Sequence, residues 1–289
     1  MTDPRPDLAE AGRDKLSPME RAQIRWIGGT FEPGRRDRVI RACQRLVGSS
    51  WIHHCTKHLR HMHGLERLPE FDPGKSYIVV SNHRSFFDLY VITGDLVHRG
   101  LKHRIVFPVR SDFFYDRALG FFVNGVMSFF AMYPPVFRDR KRATLNLIGL
   151  DELAWLLRRG GVVVGLHPEG TRNLGDDPYS FLPAQSGVGR LIHKSRATVI
   201  PVFINGLVND LKKQVWGNFD GSGRPIHVVF GEPVEFGDLL DKPGSPRTYK
   251  AVAERCMQVV GELGQEEKRH RAGGAADDST HAAAASRSG

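Results

Sequence analysis

The chain is poor in cysteine: its 289 residues hold three, Cys43, Cys55 and Cys256, an odd and scattered set. Such a set builds no disulfide framework and suits a reducing compartment. Met1-Thr2-Asp3-Pro4 opens no charged-then-apolar pattern, so secretion is not expected. Long apolar runs are scarce as well. The longest, Ala118–Val136, is of marginal length beside the roughly 20 residues a membrane span needs. It carries Asn124 and Gly125 and closes on Pro134-Pro135, so it reads as a buried or partly membrane-dipping segment rather than a span. Metal-ligand spacing is missing too. His53, His54, His58, His61 and His63 crowd one region, and His54 and His58 share a helix face, but no acidic or cysteine ligand completes a familiar set. They read as interfacial or surface histidines, and no metal site is expected. No internal repeat and no second folded domain is visible.

What the chain has in plenty is positive charge. Its formal net charge of +9 points to an anionic partner: nucleic acid, an anionic membrane surface or a phosphorylated substrate. With 40% hydrophobic residues it can bury the core of one domain with appendages. Residues 1–17 are polar and read as a disordered leader, and the charged, Ala/Gly/Ser-rich residues 266–289 as a disordered tail. Between them, 18–63 reads as a helical, membrane-associating segment and 64–265 as the folded domain. From Arg35 to Met62 apolar residues recur at three or four positions while Arg35, Arg36, Arg38, Arg41, Arg45, Lys57 and Arg60 occupy the other faces. That pattern fits a basic amphipathic helix on an anionic bilayer, and equally a core-packed helix with a solvated basic face.

Strands are expected at Ile78–Val80, Arg104–Val109, Val162–Leu166, Thr198–Ile204 and Ile226–Phe230, and helices at Leu89–Val97, Leu147–Leu157, Ser186–Ser195 and Val252–Leu263. Strands alternating with helices predict an α/β fold, a mixed sheet covered by helices, with the basic amphipathic segment at its N-terminal side.

Two of these strands end in polar clusters. After Ile78–Val80 come Asn82, His83 and, five residues beyond the histidine, Asp88. A histidine can take a proton from a hydroxyl and return it near neutral pH, and a carboxylate can fix its tautomer and stabilise the imidazolium. Ser81, Asn82 or Ser85 can also simply cap a helix, with His83 on the surface. After Val162–Leu166 comes His167-Pro168-Glu169-Gly170-Thr171-Arg172. Arg172 offers a bidentate fork suited to phosphate. Gly170 lets backbone approach a ligand, and Glu169 can accept a ligand hydroxyl or hold Arg172. Alone, the segment also reads as an ordinary loop with a surface ion pair. Arg138, in the run Arg138-Asp139-Arg140-Lys141-Arg142, is a third candidate cation, or part of a solvated cluster.

Taken together, these blocks resemble the glycerolipid acyltransferases, the family typified by 1-acylglycerol-3-phosphate acyltransferase, over roughly residues 64–236. That family's Asn-His-x-x-x-x-Asp block is matched by Asn82, His83 and Asp88, and its Pro-Glu-Gly-Thr-Arg block by Pro168, Glu169, Gly170, Thr171 and Arg172. Two weaker blocks are matched by Phe137-Arg138 and by the strand around Pro201. His167 stands where the family usually has an aromatic residue. The basic loop that often follows the second block is here Leu182–Gly189, short of lysine. The family's membrane-embedded N-terminal helices have no apolar counterpart, only the basic Arg35–Met62 segment.

The resemblance implies an enzyme without metal or bound cofactor. His83 and Asp88 would be catalytic. Arg138, Glu169, Gly170, Thr171 and Arg172 would bind the acceptor, with Asn82, Ser85 and Pro201 supporting. An acyl group would pass from acyl-CoA or acyl carrier protein to the hydroxyl of 1-acylglycerol 3-phosphate, giving phosphatidate in phospholipid synthesis. The apolar stretch Ala118–Val136 and the strand around Pro201 would shelter the acyl chain. Expected partners are the donor thioester, a phosphorylated glycerolipid and an anionic membrane surface, reached from its cytoplasmic face; the charge is then explained without nucleic acid. Glycerol 3-phosphate, another lysophospholipid or a glycolipid as acceptor stays open, as does a basic membrane-binding protein with no catalysis.

Overall fold

The β-branched runs become the centre of a sheet. In the computed structural model, which describes residues 4–285, seven strands form that sheet among the described residues. They are β1 (Arg60–His63), β2 (Tyr77–Ser81), β3 (Arg104–Arg110), β4 (Met132–Val136), β5 (Val162–Leu166), β6 (Thr198–Asn205) and β7 (Ile226–Phe230), in the order β1-β7-β6-β2-β5-β3-β4. β2 and β5 are buried along their whole length, which is why they read as unbroken apolar runs instead of alternating ones. Neighbours pair in parallel except β6 with β7, so the sheet is mixed as expected.

Helices cover both faces. Ile78 and Val80 pack on one side with Ile24 and Ile27 of the helix Pro18–Gly29, Leu153 and Leu157 of Ala143–Arg159, Leu191 of Ser186–Ser195, and Val252 and Val260 of the C-terminal helix. Tyr77 and Val79 point the other way, toward Leu89, Ile92 and Leu96 of the helix Asp88–His98, with Ile52 against that cluster. This is the period-two alternation of a strand shared between two apolar layers.

Several expectations need correction. Where a disordered leader was expected, Leu8–Ala11 is helical, and Leu8 and Ala9 are buried in the core; Met1–Asp3 lie outside the described residues. The Arg35–Met62 periodicity does not stay helical to its end. It becomes a continuous helical run from Arg35 to Thr56 with a π-helical turn at Gln44–Gly48, and its last residues form the edge strand β1. The apolar stretch Ala118–Val136 splits as well, into the helix Ala118–Ser128 and strand β4, with Phe129 and Phe130 in left-handed backbone between them. β4 carries Pro134-Pro135 at the sheet's edge, where proline is tolerated, and its register against β3 shifts between Phe107 and Val109. The expected tail is helical through Ala285, since the C-terminal helix runs Pro246–Ala285. Arg67 donates to both Glu266 oxygens at 2.9 Å, which ties that helix down beyond its apolar face; residues 286–289 lie outside the described residues.

The topology has one consequence for function. β6, β2, β5, β3 and β4 are parallel and therefore end at one edge of the sheet. Val80 pairs with Leu166 and Ser81 with Val202, so the segments leaving β2, β5 and β6 emerge side by side. In open α/β sheets the crevice outside the carboxyl ends of the strands is where ligands bind.

Candidate active site

Both polar clusters leave the sheet at that carboxyl edge. Asn82 comes first after β2. Fully buried, it donates to the Ile204 carbonyl and accepts from the Ile204 N–H, both at 2.9 Å, so it clips the end of β2 to β6. His83 follows, then a short loop, and the helix starts at Asp88. Asp88 is buried, and its Oδ2 accepts the backbone N–H groups of Arg84 and Ser85, each at 2.8 Å. His83 Nδ1 lies 3.3 Å from the same oxygen. The carboxylate thus folds the loop back and holds the imidazole; the two side chains meet through this loop and not along a helix face. Ser85 is buried with its hydroxyl accepting from Phe87 N–H at 3.2 Å, and it shapes the turn.

The second cluster arrives from β5. Glu169, 2% exposed, accepts His83 N–H on one oxygen and Leu182 N–H on the other, both at 2.8 Å. It is a pin under His83, with no oxygen turned to Arg172 or to a ligand hydroxyl. Gly170 adopts φ 70°, and a Cβ there would come within 2.9 Å of Gln185 Cγ. Its N–H is engaged by the His167 carbonyl at 2.9 Å, so glycine serves the turn rather than donating to a ligand. Arg172 is exposed, with one nitrogen 2.9 Å from Asn209 Oδ1. Arg138 follows β4, where Asn146 grips Phe137 through both its N–H and its carbonyl at 2.8 Å, and its guanidinium reaches Thr171 Oγ1 at 3.3 Å. Arg138, Thr171 and Arg172 therefore share one surface beside the histidine. Pro201 is not brought in: it sits inside β6, level with Val80, and is buried in the sheet.

His167 is the feature that motif spacing did not expose. Its ring stacks on His83, centroids 3.7 Å apart and planes 5° from parallel. Its Nδ1 lies 3.2 Å from both the carbonyl and the hydroxyl oxygen of Ser81, which hold the ring in place. Asn209, supplied from beyond β6, was missed as well. Its oxygen accepts both Arg172 and the Phe86 N–H, and its amide donates to the Arg84 carbonyl.

Burial and a neighbouring cation set the charges. Burial, then the Arg172 guanidinium, lower the His83 pKa to about 4. Burial pushes Asp88 up to about 6, against the pull of His167 and of the Ser85 and Arg84 N–H groups. Burial, then His83, lower His167 to about 3. At neutral pH both imidazoles are therefore neutral and Asp88 is largely ionised. With Nδ1 turned to Asp88, Nε2 of His83 is left to accept a proton. Ligand atoms of His83, Asp88 and His167 lie within 4.8 Å of one another. The stacked rings hold their in-plane lone pairs in two parallel planes, so as arranged they do not converge on one cation.

Residues 60–205, about half of the chain, match the Acyltransferase family profile. The chain belongs to this family. The matched segment runs from β1 through β6 and contains the site residues described above, Asn209 excepted. Human 1-acyl-sn-glycerol-3-phosphate acyltransferase alpha is 27% identical over 154 residues, covering 51% of this chain and 48% of the relative. Its sheep counterpart, Ovis aries, is 28% identical over 156 residues, with the same coverage. The chain thus spans about half the length of the curated relatives it matches. The crystal structure of the 1-acyl-sn-glycerophosphate acyltransferase PlsC from Thermotoga maritima superposes with a TM-score of 0.54 at 19% identity, covering 83% of this chain and 86% of that one. That likeness extends the shared fold beyond the matched segment.

Proposed function

We propose that the chain transfers a fatty acyl group from a thioester to the hydroxyl of 1-acylglycerol 3-phosphate. The observation that carries this reading is the buried Asp88 holding neutral His83 at the carboxyl edge of the sheet, beside Arg172 and Arg138. His83 Nε2 takes the proton of the acceptor hydroxyl as its oxygen attacks the thioester carbonyl. The tetrahedral intermediate then expels the thiolate, which takes the proton back from the imidazolium. Asp88 stabilises that imidazolium, and no acyl-enzyme forms. The reaction needs no metal and no bound cofactor.

Arg172 has a double role in this scheme. In the empty site its charge weakens His83 as a base. An acceptor phosphate bound there neutralises that charge, so the base strengthens when the correct substrate is in place. Arg138 and Thr171 complete the phosphate site. Glycerol 3-phosphate, another lysophospholipid or a glycolipid is the competing acceptor, and a membrane-binding protein without catalysis the competing class.

We infer also that the protein works as a peripheral protein on the cytoplasmic face of an anionic membrane. No helix among the described residues is long and apolar enough to cross a bilayer. Val39, Leu46, Val47 and Trp51 are exposed, and so are Leu119, Phe122, Val126 and Met127. The two groups adjoin, since Gly48 lies against the Phe129 ring. Apolar side chains set among Arg35, Arg36, Arg38 and Arg45 suit an anionic headgroup layer.

The test is acyl transfer from a labelled thioester to a panel of lysophosphatidate, glycerol 3-phosphate, other lysophospholipids and a glycolipid, in detergent and in vesicles. Labelling of lysophosphatidate is expected. Labelling of another acceptor alone replaces the substrate and keeps the chemistry, and no labelling with acyl-CoA or acyl carrier protein leaves the binding reading.

A further inference from the structure

A cavity of about 430 Å³ borders the dyad, with Asp88, which holds His83 Nδ1, in its lining. It is large enough for a small-molecule site, which typically runs from about 300 to 1,000 Å³. Arg84, Arg224 and Arg271 line it, brought from three distant parts of the chain: the loop after β2, the segment before β7 and the C-terminal helix. Two carboxylates also border it, but Asp88 is turned inward to its backbone donors and His83, and Asp176 is solvent-exposed.

The wall is built in advance. Glu267 is fully buried behind it, pairing with Arg271 at 2.7 Å and accepting the Tyr179 hydroxyl at 2.7 Å. Arg271 also donates to the Pro225 carbonyl, and Arg84 to the carbonyls of Asp177 and Gly175. Arg84 is therefore positioned by carbonyls that leave its charge uncancelled, whereas Arg271 is held by a buried carboxylate that balances its charge. Arg224, exposed at the rim, has no hydrogen bond or ion pair among the described residues. Converging arginines with spare donors are a phosphate-binding arrangement.

The reach of the two substrates decides which phosphate belongs here. In a glycerophosphate the attacking hydroxyl sits on the carbon next to the one carrying the phosphate, so that phosphate must lie close to His83. Arg172 meets this condition: its guanidinium is close enough to lower the His83 pKa. A thioester carbonyl, in contrast, is separated from the phosphates of its carrier by the long pantetheine arm. Those phosphates need cations outside the acceptor's reach, and Arg84 and Arg224 line the cavity. The walls also offer Leu174, Leu207 and Tyr179 for an apolar ring to lie against.

We propose that this cavity binds the nucleotide end of the acyl donor, the phosphorylated adenosine of a coenzyme A thioester. The proposal rests on the acyl-transfer reading and names its donor. Binding of adenosine 3′,5′-bisphosphate by isothermal titration tests it without turnover. The full chain is titrated as wild type, as Arg224→Glu and as Arg158→Glu, the last an equal charge reversal at the opposite edge of the sheet. Expected is saturable binding to wild type and Arg158→Glu, weakened about tenfold or more in Arg224→Glu. In parallel, the KM for acyl-CoA should rise in Arg224→Glu, and the preference for acyl-CoA over acyl-pantetheine should collapse. Equal affinity in wild type and Arg224→Glu, no binding to wild type, or a preference for acyl carrier protein untouched by the reversal overturns the proposal. Bisphosphate binding that depends on Arg224, without acyl transfer to any acceptor, would instead sink the acyl-transfer reading and leave a nucleotide site.

Discussion

Glu169 is the sharpest place to separate positioning from substrate binding. Its carboxylate accepts two buried backbone N–H groups at 2.8 Å, one of them from His83 itself. Hydrogen bonds to a charged partner contribute about 1.5–3 kcal/mol each, so Glu169→Ala should cost about 3–6 kcal/mol. A domain with roughly 5–15 kcal/mol in hand is brought near unfolding by that loss. Glu169→Gln is the better probe. Its amide oxygen keeps one N–H, while its NH2 faces the other donor, for an expected loss of about 2–4 kcal/mol. The freed end of β2 lets His83 drift, and a shift of about 1 Å costs on the order of 100-fold in rate. Urea unfolding and steady-state kinetics should therefore show a lower midpoint and a kcat reduced about 100-fold, with the acceptor KM within about twofold. An unchanged midpoint with a strongly raised acceptor KM would refute the reasoning and make Glu169 a ligand for the acceptor hydroxyl.

Three further outcomes follow from the same geometry. Activity needs neutral His83 and ionised Asp88, so kcat/KM should fall on the acid side through the dyad's values of about 4 and 6; Arg172→Gln removes a charge that depresses His83 and should move that limb to higher pH in a pH–rate profile. Asn82→Ala leaves the Ile204 N–H and carbonyl buried without partners and should cost about 2–4 kcal/mol in urea unfolding, although Asn82 touches no substrate. Paired replacement Leu46→Glu and Phe122→Glu should abolish sedimentation with anionic vesicles while leaving the unfolding midpoint near wild type, because both side chains are more than 60% exposed; undiminished sedimentation would move the membrane face elsewhere.

How legible the fold was depended on burial. β2, β5, β6 and β7 stand out as apolar runs because both their faces are covered. β1 does not, since Arg60-His61-Met62-His63 is a polar edge strand held by a buried Arg60–Asp95 pair at 2.8 Å, a contact made only in the fold. β4 hid behind Pro134-Pro135, which argue against any strand but an edge one. The helix Pro18–Gly29 carried a readable signal that was passed over: Ser17 and Glu20 form a capping box with Pro18 at the first turn. The tail composition suggested disorder, yet Glu266 finds Arg67 and Glu267 finds Tyr179 across long sequence separations.

The site divides in the same way. His83, Asp88, Arg138, Thr171 and Arg172 were visible as motif residues, and the structure gathers them at one edge. The roles of Asn82, Glu169 and Gly170 as backbone fasteners were not visible, because a hydrogen bond to a distant N–H or carbonyl leaves no periodicity. The stack of His167 on His83 likewise depends on the Val80–Leu166 register, a fact of the sheet and not of either motif.

The most direct measurement is the turnover of labelled acyl-CoA onto lysophosphatidate by wild type and His83→Ala, with circular dichroism confirming that both are folded. A general base contributes about 10²–10⁴-fold, so kcat should fall by that factor with both KM values little changed. A His83→Ala enzyme within about tenfold of wild type would show that the dyad at the carboxyl edge is not where the acceptor proton goes.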